Sequence, residues 1–239
     1  MRRAGGRWAA GGLLAVAVLL AGPVVVSAEE RDFYVGFYLG LSQPLTSDFT
    51  VRDSATTTES LVQDVGFDGT FLLGFKAGGY FPRRAGSPWP QFGLEIEFYG
   101  FDADRDVEKL RPAGDVFDSH HFVANTLALN VLARYPLLRS PELPNGRFQV
   151  YAGVGGGIEW ARVEERVFFF GFLATTVEDR DSSPVFQGLA GVKVFLTSHL
   201  ALFAEYKYSH ASHSLHFRDI TETFDLRVNH FYGGLAYHF

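Results

Sequence analysis

The sequence has no cysteine among its 239 residues. This absence excludes a disulfide framework, a metal-thiolate site and a lipid-modified N-terminal cysteine. An exported chain of this composition has to be stabilised by packing, by hydrogen bonds or by a bilayer.

The sequence also lacks a second long apolar run after its N-terminal segment. No later stretch approaches the roughly 18 consecutive apolar residues of a membrane helix. If the mature chain lies in a membrane, it must therefore cross that membrane as β-strands.

Residues 1–28 have the three parts of a secretory signal peptide. A start with three arginines in the first seven residues precedes an apolar run from Trp8 to Val26, and Val26 and Ala28 have the spacing of a cleavage site. We predict cleavage after Ala28, so that residues 29–239 form a single mature domain. The alternative is an uncleaved membrane anchor.

Acidic residues outnumber basic residues. The chain has 21 Lys and Arg against 27 Asp and Glu, and removal of residues 1–28 takes away three arginines and no acid, which leaves a net charge of −9. Binding to nucleic acid phosphates needs Lys and Arg in excess, so nucleic acid is excluded as a partner. The sequence indicates no cofactor.

Alternation of bulky apolar residues with small or polar residues predicts eight β-strands. In residues 91–101, for example, Phe92, Leu94 and Ile96 lie on one face, and Glu95 and Glu97 lie on the other. The predicted strands are 33–41, 67–81, 91–101, 120–135, 148–160, 185–196, 200–210 and 228–239.

Long and short connections alternate between these strands. The long ones are 42–66, 102–119, 161–182 and 211–227. This pattern is typical of bacterial outer-membrane barrels, which have long extracellular loops and short periplasmic turns. We predict an all-β fold, an eight-stranded antiparallel up-and-down transmembrane β-barrel, because a closed barrel leaves no unpaired strand edge in lipid.

Charged residues occur on the face opposite the bulky apolar one. Because unpaired charges in a dry interior are very costly, we predict that they form a neutral hydrogen-bonded network. An eight-stranded barrel is just wide enough for side chains to fill, so the interior is expected to be plugged; a small channel is the alternative. The four acids and four bases of this set are Lys76, Glu95, Glu97, Arg134, Glu159, Lys193, Glu205 and Lys207.

The last predicted strand ends the chain on an aromatic residue. Its residues Tyr232, Gly234, Tyr237 and Phe239 resemble the C-terminal β-signal of bacterial outer-membrane proteins. This resemblance implies that the barrel-assembly machinery recognises Phe239 during insertion.

With this ending, the eight-strand pattern and the segment 202–208 (LFAEYKY), the mature chain resembles the OmpA-like, or opacity-type, family of eight-stranded outer-membrane barrels. The resemblance implies residence in the bacterial outer membrane and contact with its lipid and lipopolysaccharide. We predict a non-enzymatic role in envelope integrity or surface interaction through four extracellular loops. The ligand of those loops is not indicated.

Histidines are numerous near the predicted extracellular rim. Imidazoles from several strands could hold a divalent metal ion, but no carboxylate spacing of a recognised site accompanies them. A rim position also suits a weakly polar aromatic side chain, so we predict no metal site. The residues are His120, His121, His210, His213, His216 and His230.

The motif His210-Ala211-Ser212 offers an alternative function. It resembles the His-x-Ser of the lipid A deacylases, which are also eight-stranded barrels. The resemblance implies an esterase on the outer face, with Ser212 as nucleophile, His210 as base and Glu222 as the acid. His213 stands where that family usually has Asn.

Residues 167–173 (VFFFGFL) form the most apolar part of the predicted loop 161–182. They are expected either to contact lipopolysaccharide, a host molecule or another barrel, or to form an extended hairpin whose Phe residues pack on one another.

Overall fold

The computed structural model describes residues 32–53, 58–66, 69–82, 89–102, 116–140, 143, 146–169, 172–217 and 220–239. The predicted signal peptide lies outside these ranges. Among the residues described, no helix is long and apolar enough to cross a membrane. The strands are β1 (Asp32–Pro44), β2 (Ser47–Asp53), β3 (Thr58–Val65), β4 (Thr70–Tyr80), β5 (Gln91–Asp102), β6 (Val116–Leu137), β7 (Phe148–Phe169), β8 (Phe172–Phe195), β9 (Leu200–Phe217) and β10 (Ile220–His238).

Eight of these strands close into an antiparallel barrel. They follow the order β1-β4-β5-β6-β7-β8-β9-β10, and β10 also pairs with β1. The closing register runs from Tyr34 opposite His238 to Pro44 opposite Val228. Within the apolar band, closure gives every barrel strand a paired neighbour on both sides, so no strand edge is left open in lipid. The predicted fold class is therefore confirmed.

Side chains alternate between the lumen and the outside of the barrel along each strand. On β5, Glu95 and Glu97 are 1% exposed, whereas the intervening Ile96 is 52% exposed. Large exposed apolar side chains occur on every barrel strand and form the outward band expected of a membrane barrel. One example from each strand in barrel order is Phe37, Phe75, Phe98, Leu129, Val154, Phe186, Leu202 and Leu235.

The predicted loop 42–66 is not irregular, and the prediction was wrong there. β2 pairs with β3, and β2 also pairs with the beginning of β10, from Ile220 opposite Asp53 to Phe224 opposite Phe49. Beyond the end of β1, β10 therefore has β2 as its neighbour. The Thr- and Ser-rich sequence of this hairpin shows no alternation, because no lipid constrains its faces.

Strands β6 to β10 extend well past their predicted ends. The predicted loop 161–182 is instead a hairpin of β7 and β8, and 211–227 is largely β9 and β10. The side chains of 167–173 lie outside the described part of the structure, so both expectations for them, a contact surface and Phe residues packed on one another, stay predictions. We call the end of the barrel that these strand extensions form the long-loop end. Outward residues on the extensions are polar, as at Arg162, Ser182 and Asp225. The alternation of apolar and polar residues therefore ends with the lipid, although the strand backbones still pair beyond it.

We call the opposite end of the barrel, where the shorter connections lie, the short-turn end. Residues 197–199 join β8 to β9, and the Leu200 N–H donates to Thr197 Oγ1 at 3.0 Å. Between β6 and β7, Gly146 has a φ of 79°, a left-handed conformation that favours glycine. A Cβ at Gly146 would lie 2.4 Å from the Leu137 carbonyl oxygen.

Candidate functional site

The middle of the barrel contains five of the eight predicted interior charges. Lys76 Nζ lies 2.6 Å from Glu205 Oε2 and 3.5 Å from Glu95 Oε2. Lys207 Nζ donates to Glu97 Oε1. All five side chains are buried. Each ammonium therefore has a carboxylate partner, which offsets part of the desolvation cost of burying the charges.

Tyrosine hydroxyls complete the coordination of the three glutamates. The tyrosines come from β1, β7 and β10, so the carboxylates receive hydrogen bonds from several sides of the lumen. The pairs are Tyr34 to Glu95 at 2.5 Å, Tyr151 to Glu205 at 2.8 Å, Tyr38 to Glu97, and Tyr232 to Glu205.

Two amide side chains connect the remaining glutamate oxygens. Asn130 Nδ2 donates to Glu95 Oε1 at 3.1 Å and to Glu97 Oε2 at 3.2 Å. Gln187 Nε2 donates to Glu97 Oε2 at 3.1 Å and to Asn130 Oδ1 at 2.6 Å. The central network thus links β5, β6 and β8 across the lumen.

A second polar group lies at the short-turn end. Arg134 is paired with Asp32, and its Nη2 donates to Gln91 Oε1 at 2.8 Å. Asp32 also bonds His238 Nδ1, and His238 Nε2 lies 3.2 Å from Lys193 Nζ. Arg134 and Lys193 therefore do not join the central glutamates directly.

Glu159 lies apart from the other predicted charges. It accepts from Thr126 Oγ1 at 2.8 Å and contacts His213 near the long-loop end. The centre and the short-turn end together contain four bases, three glutamates and Asp32, so their formal charges sum to zero. Asp32 therefore supplies the fourth acid, a role that the sequence had assigned to Glu159. Asp32 could have been found by extending the inward phase of the first predicted strand by one position. His238 already lies in the inward phase of the last predicted strand, 228–239.

Inward glycines make room for bulky side chains in the lumen. A Cβ at Gly74 would lie 2.3 Å from Tyr38 Cζ, and one at Gly155 would lie 2.0 Å from Asn130 Oδ1. The close approach of these side chains to the opposite backbone therefore requires glycine.

The four residues of the predicted assembly signal lie on both faces of β10. Tyr232 and Gly234 point into the lumen, and Tyr237 and Phe239 point outward. The Phe239 N–H donates to the Phe33 carbonyl at 2.9 Å, and its side chain is 70% exposed. Phe239 is thus held at the short-turn end mainly through its backbone.

The structure does not bring together the three predicted catalytic residues. His210 and Ser212 share the outward face of β9, but Glu222 is paired with Leu215 and has the inward phase of β10. The acid near the motif is Asp225, whose Oδ1 accepts from Ser212 Oγ at 2.6 Å and lies 3.6 Å from His210 Nε2. The prediction of Glu222 was wrong because it ignored the register of β9 and β10.

The described histidines of the predicted rim do not converge. His230 is buried in the lumen, where its ring nitrogens lie 2.7 Å from Ser42 Oγ and 3.0 Å from Ser209 Oγ. His213 is also buried, whereas His210 faces outward. The side chains of the other three lie outside the described residues. Within the described chain, no three His, Asp or Glu side chains are placed to hold a metal ion.

A closed antiparallel barrel with an apolar outer band and buried, paired charges has the architecture of an outer-membrane barrel protein. The chain belongs to the family of the outer membrane protein beta-barrel domain, which matches residues 12–239. The protein accordingly resides in the bacterial outer membrane.

Solved structures of outer-membrane proteins are similar to this chain. OprG from Pseudomonas aeruginosa has 15% identity and a TM-score of 0.52, with 87% of this chain and 95% of OprG covered. Neisserial surface protein A has 13% identity and a TM-score of 0.46, with 87% and 97% covered. A comparison with curated proteins gives no match. At 15% identity, the similarity to OprG shows the fold alone.

Proposed function

We propose that this protein is a non-enzymatic barrel with a plugged, charge-paired interior that serves envelope integrity or surface interaction. The observation that carries this proposal is the central network, in which Lys76, Lys207 and three glutamates are buried and bonded to one another. An eight-stranded barrel filled in this way has no wide aqueous path. Its activity therefore belongs to its outer surfaces.

Two outer surfaces are available. The apolar band contacts outer-membrane lipid, and lipopolysaccharide is the corresponding partner in the outer leaflet. At the long-loop end, the β2–β3 hairpin is attached to β10 by backbone pairing. Ordered strands of this kind support a surface on which an extracellular partner binds.

We expect the purified wild-type protein to give no stepwise ion conductance in planar lipid bilayers, because the paired side chains fill the lumen. The matched variants are Glu97→Gln inside the barrel and Phe71→Ala on its lipid face. Conductance steps in the wild type that change with Glu97→Gln but not with Phe71→Ala would support a channel and overturn the plugged interior.

The two proposed roles can be separated in cells that lack the gene. The cells are complemented with the wild-type protein or with a variant in which residues 47–65 are replaced by a short turn. Restoration of detergent resistance by both proteins supports envelope integrity as a property of the barrel. A defect in surface attachment that only the wild type repairs supports recognition through the β2–β3 hairpin.

A second candidate function is an esterase that removes an acyl chain from lipid A at the outer face. The observation that favours it is the cluster of Ser212, His210 and Asp225 beyond the apolar band. The hydrogen bond from Ser212, together with His210, holds the pKa of Asp225 below its usual value, so Asp225 is an anion at neutral pH. For catalysis the Ser212 hydroxyl has to turn from Asp225 to His210, which would accept its proton.

Mass spectrometry of lipid A tests the esterase. We expect no difference in lipid A mass between cells with the wild-type protein and cells with Ser212→Ala, because Ser212 Oγ donates to the Asp225 carboxylate and not to the imidazole of His210. Ser214→Ala, a change on the same strand, is the matched control. Loss of one acyl chain with the wild type and with Ser214→Ala, but not with Ser212→Ala, would establish the esterase.

A further inference from the structure

Two barrel strands part at the long-loop end. Within the described residues, the backbone register of β8 and β9 stops at Val185 opposite Ala211. Beyond that point β8 stays paired with β7, and β9 stays paired with β10. Pro184 lies where the register stops, and proline has no backbone N–H to donate. We call the interval between residues 172–184 of β8 and 212–217 of β9 the seam.

Side chains bridge the seam in place of a backbone ladder. Ser183 Oγ donates to the Ser212 carbonyl. Further from the membrane, Asp181 of β8 faces His213 and Ser214 of β9. The Ser214 N–H donates to Asp181 Oδ2 at 3.1 Å, and the same oxygen lies 2.9 Å from His213 Nδ1. Asp181 therefore receives two of the bonds that hold β9 against β8.

His213 extends this bridge to β7. Its Nε2 lies 3.0 Å from Glu159 Oε1, so each ring nitrogen faces a different carboxylate. An ionised carboxylate only accepts hydrogen bonds, and both ring nitrogens donate only in the charged imidazolium. The side chain of His213 is fully buried. The geometry therefore fits a protonated His213 between Asp181 and Glu159.

The other elements around His213 place aromatic rings against it. Phe122 of β6 lies edge-on with ring centroids 6.3 Å apart, and Phe224 of β10 lies 5.8 Å away. The next inward positions on β8 and β10 carry Asp179 and Glu222, both half-buried acids. Among the side chains that the structure describes, the charged groups that face His213 are thus acidic.

We propose that His213 is a pH-responsive latch that holds the β7–β8 hairpin to the β9–β10 hairpin across the seam. With the proton present, one imidazolium bonds both carboxylates. Once the proton is lost, one ring nitrogen becomes an acceptor that faces a carboxylate, and the bond to Asp181 or to Glu159 is lost. Of the bonds described across the seam, only those of Ser183 and of the Ser214 N–H then hold the hairpins, and the hairpins separate above the membrane while the barrel below stays closed by its backbone ladders.

The direction of the response follows from the environment of the imidazole. Burial lowers the pKa of His213, but the hydrogen bonds with Glu159 and Asp181 outweigh burial and raise the pKa above its usual value. For a group with a raised pKa, the stabilisation is complete below the unfolded value and is lost as pH rises through the folded value. The latch is therefore closed below the ordinary imidazole pKa and opens as pH rises through the raised pKa of His213.

Spin-label distances across the seam test the latch, and the absence of native cysteine makes specific labelling possible. Labels on Ser182→Cys of β8 and Thr223→Cys of β10 are measured in lipid nanodiscs from about pH 5.5 to about pH 9, around the ordinary imidazole pKa of about 6.5. We expect a narrow distance distribution at the acidic end. It should shift to longer distances with a midpoint above the ordinary imidazole pKa.

His213→Gln should show the long distances throughout the pH range. His230→Gln, which changes another buried imidazole, should keep the wild-type transition. If His213→Gln does not assemble, Asp181→Asn provides the second variant and should move the midpoint to lower pH. A wild-type distance that does not change with pH, or a transition that persists in His213→Gln, would overturn the proposal.

Discussion

Replacement of Lys207 with methionine is expected to destabilise the folded barrel by about 3–5 kcal/mol. The ammonium of Lys207 bonds Glu97, and both side chains are fully buried. Methionine has a similar length but no charge, so Glu97 would be left with an uncompensated negative charge in the lumen. Equilibrium unfolding in urea, with the protein in lipid vesicles, measures the change in the free energy of unfolding.

Two further variants separate loss of the ion pair from general damage. The double variant Glu97→Gln/Lys207→Met removes both charges and is expected to recover part of the lost stability. Tyr206→Phe, on the outward face of the same strand, removes only an exposed hydrogen bond to Asn229 and should cost about 1 kcal/mol or less. Wild-type stability in the Lys207→Met protein would show that the central network does not stabilise the barrel.

Deletion of Phe239 is expected to reduce the amount of protein in the outer membrane strongly while changing the stability of the folded barrel little. Phe239 makes one backbone hydrogen bond to Phe33 and a ring contact with Tyr237, and its side chain is largely exposed. A net hydrogen bond contributes only about 1 kcal/mol. We propose that its main role is recognition by the barrel-assembly machinery.

This prediction is checked with two measurements on the truncated protein. Outer-membrane levels are quantified in cells, and urea unfolding is measured on protein refolded into vesicles. Phe33→Ala, which alters another exposed aromatic near Phe239, is the matched control and should assemble at nearly normal levels. Normal outer-membrane levels of the truncated protein would contradict an assembly role for Phe239.

The predicted strands and their lipid-facing residues agree with the structure within the apolar band. On β5 the alternation placed Ile96 outside and Glu95 and Glu97 inside, as observed. Beyond the band the same reasoning failed, and the predicted loops 161–182 and 211–227 are mostly strand. Contact with lipid requires apolar residues on the outward face, so the sequence alternates within the band. Above the membrane the outward face contacts water, and polar residues are allowed on it.

The candidate site was less predictable than the fold. The inward charged residues were recognised one strand at a time, but their partners come from distant parts of the chain. Lys76 and Glu205, for example, are 129 positions apart. Asp225, and not Glu222, is the acid next to Ser212, because cross-strand register selects it.

By itself, the sequence determined that this chain crosses the outer membrane as eight strands and which side chains face lipid. Each strand needs apolar residues on its lipid-facing side whichever strands are its neighbours, so the pattern can be read one strand at a time. Only the tertiary structure decided which buried charges meet, that Asp32 joins them, and that His213 bridges the seam. These features depend on the register between strands and on where pairing stops. Both follow from how all the strands fit together around the lumen, and the pattern within a single strand does not contain them.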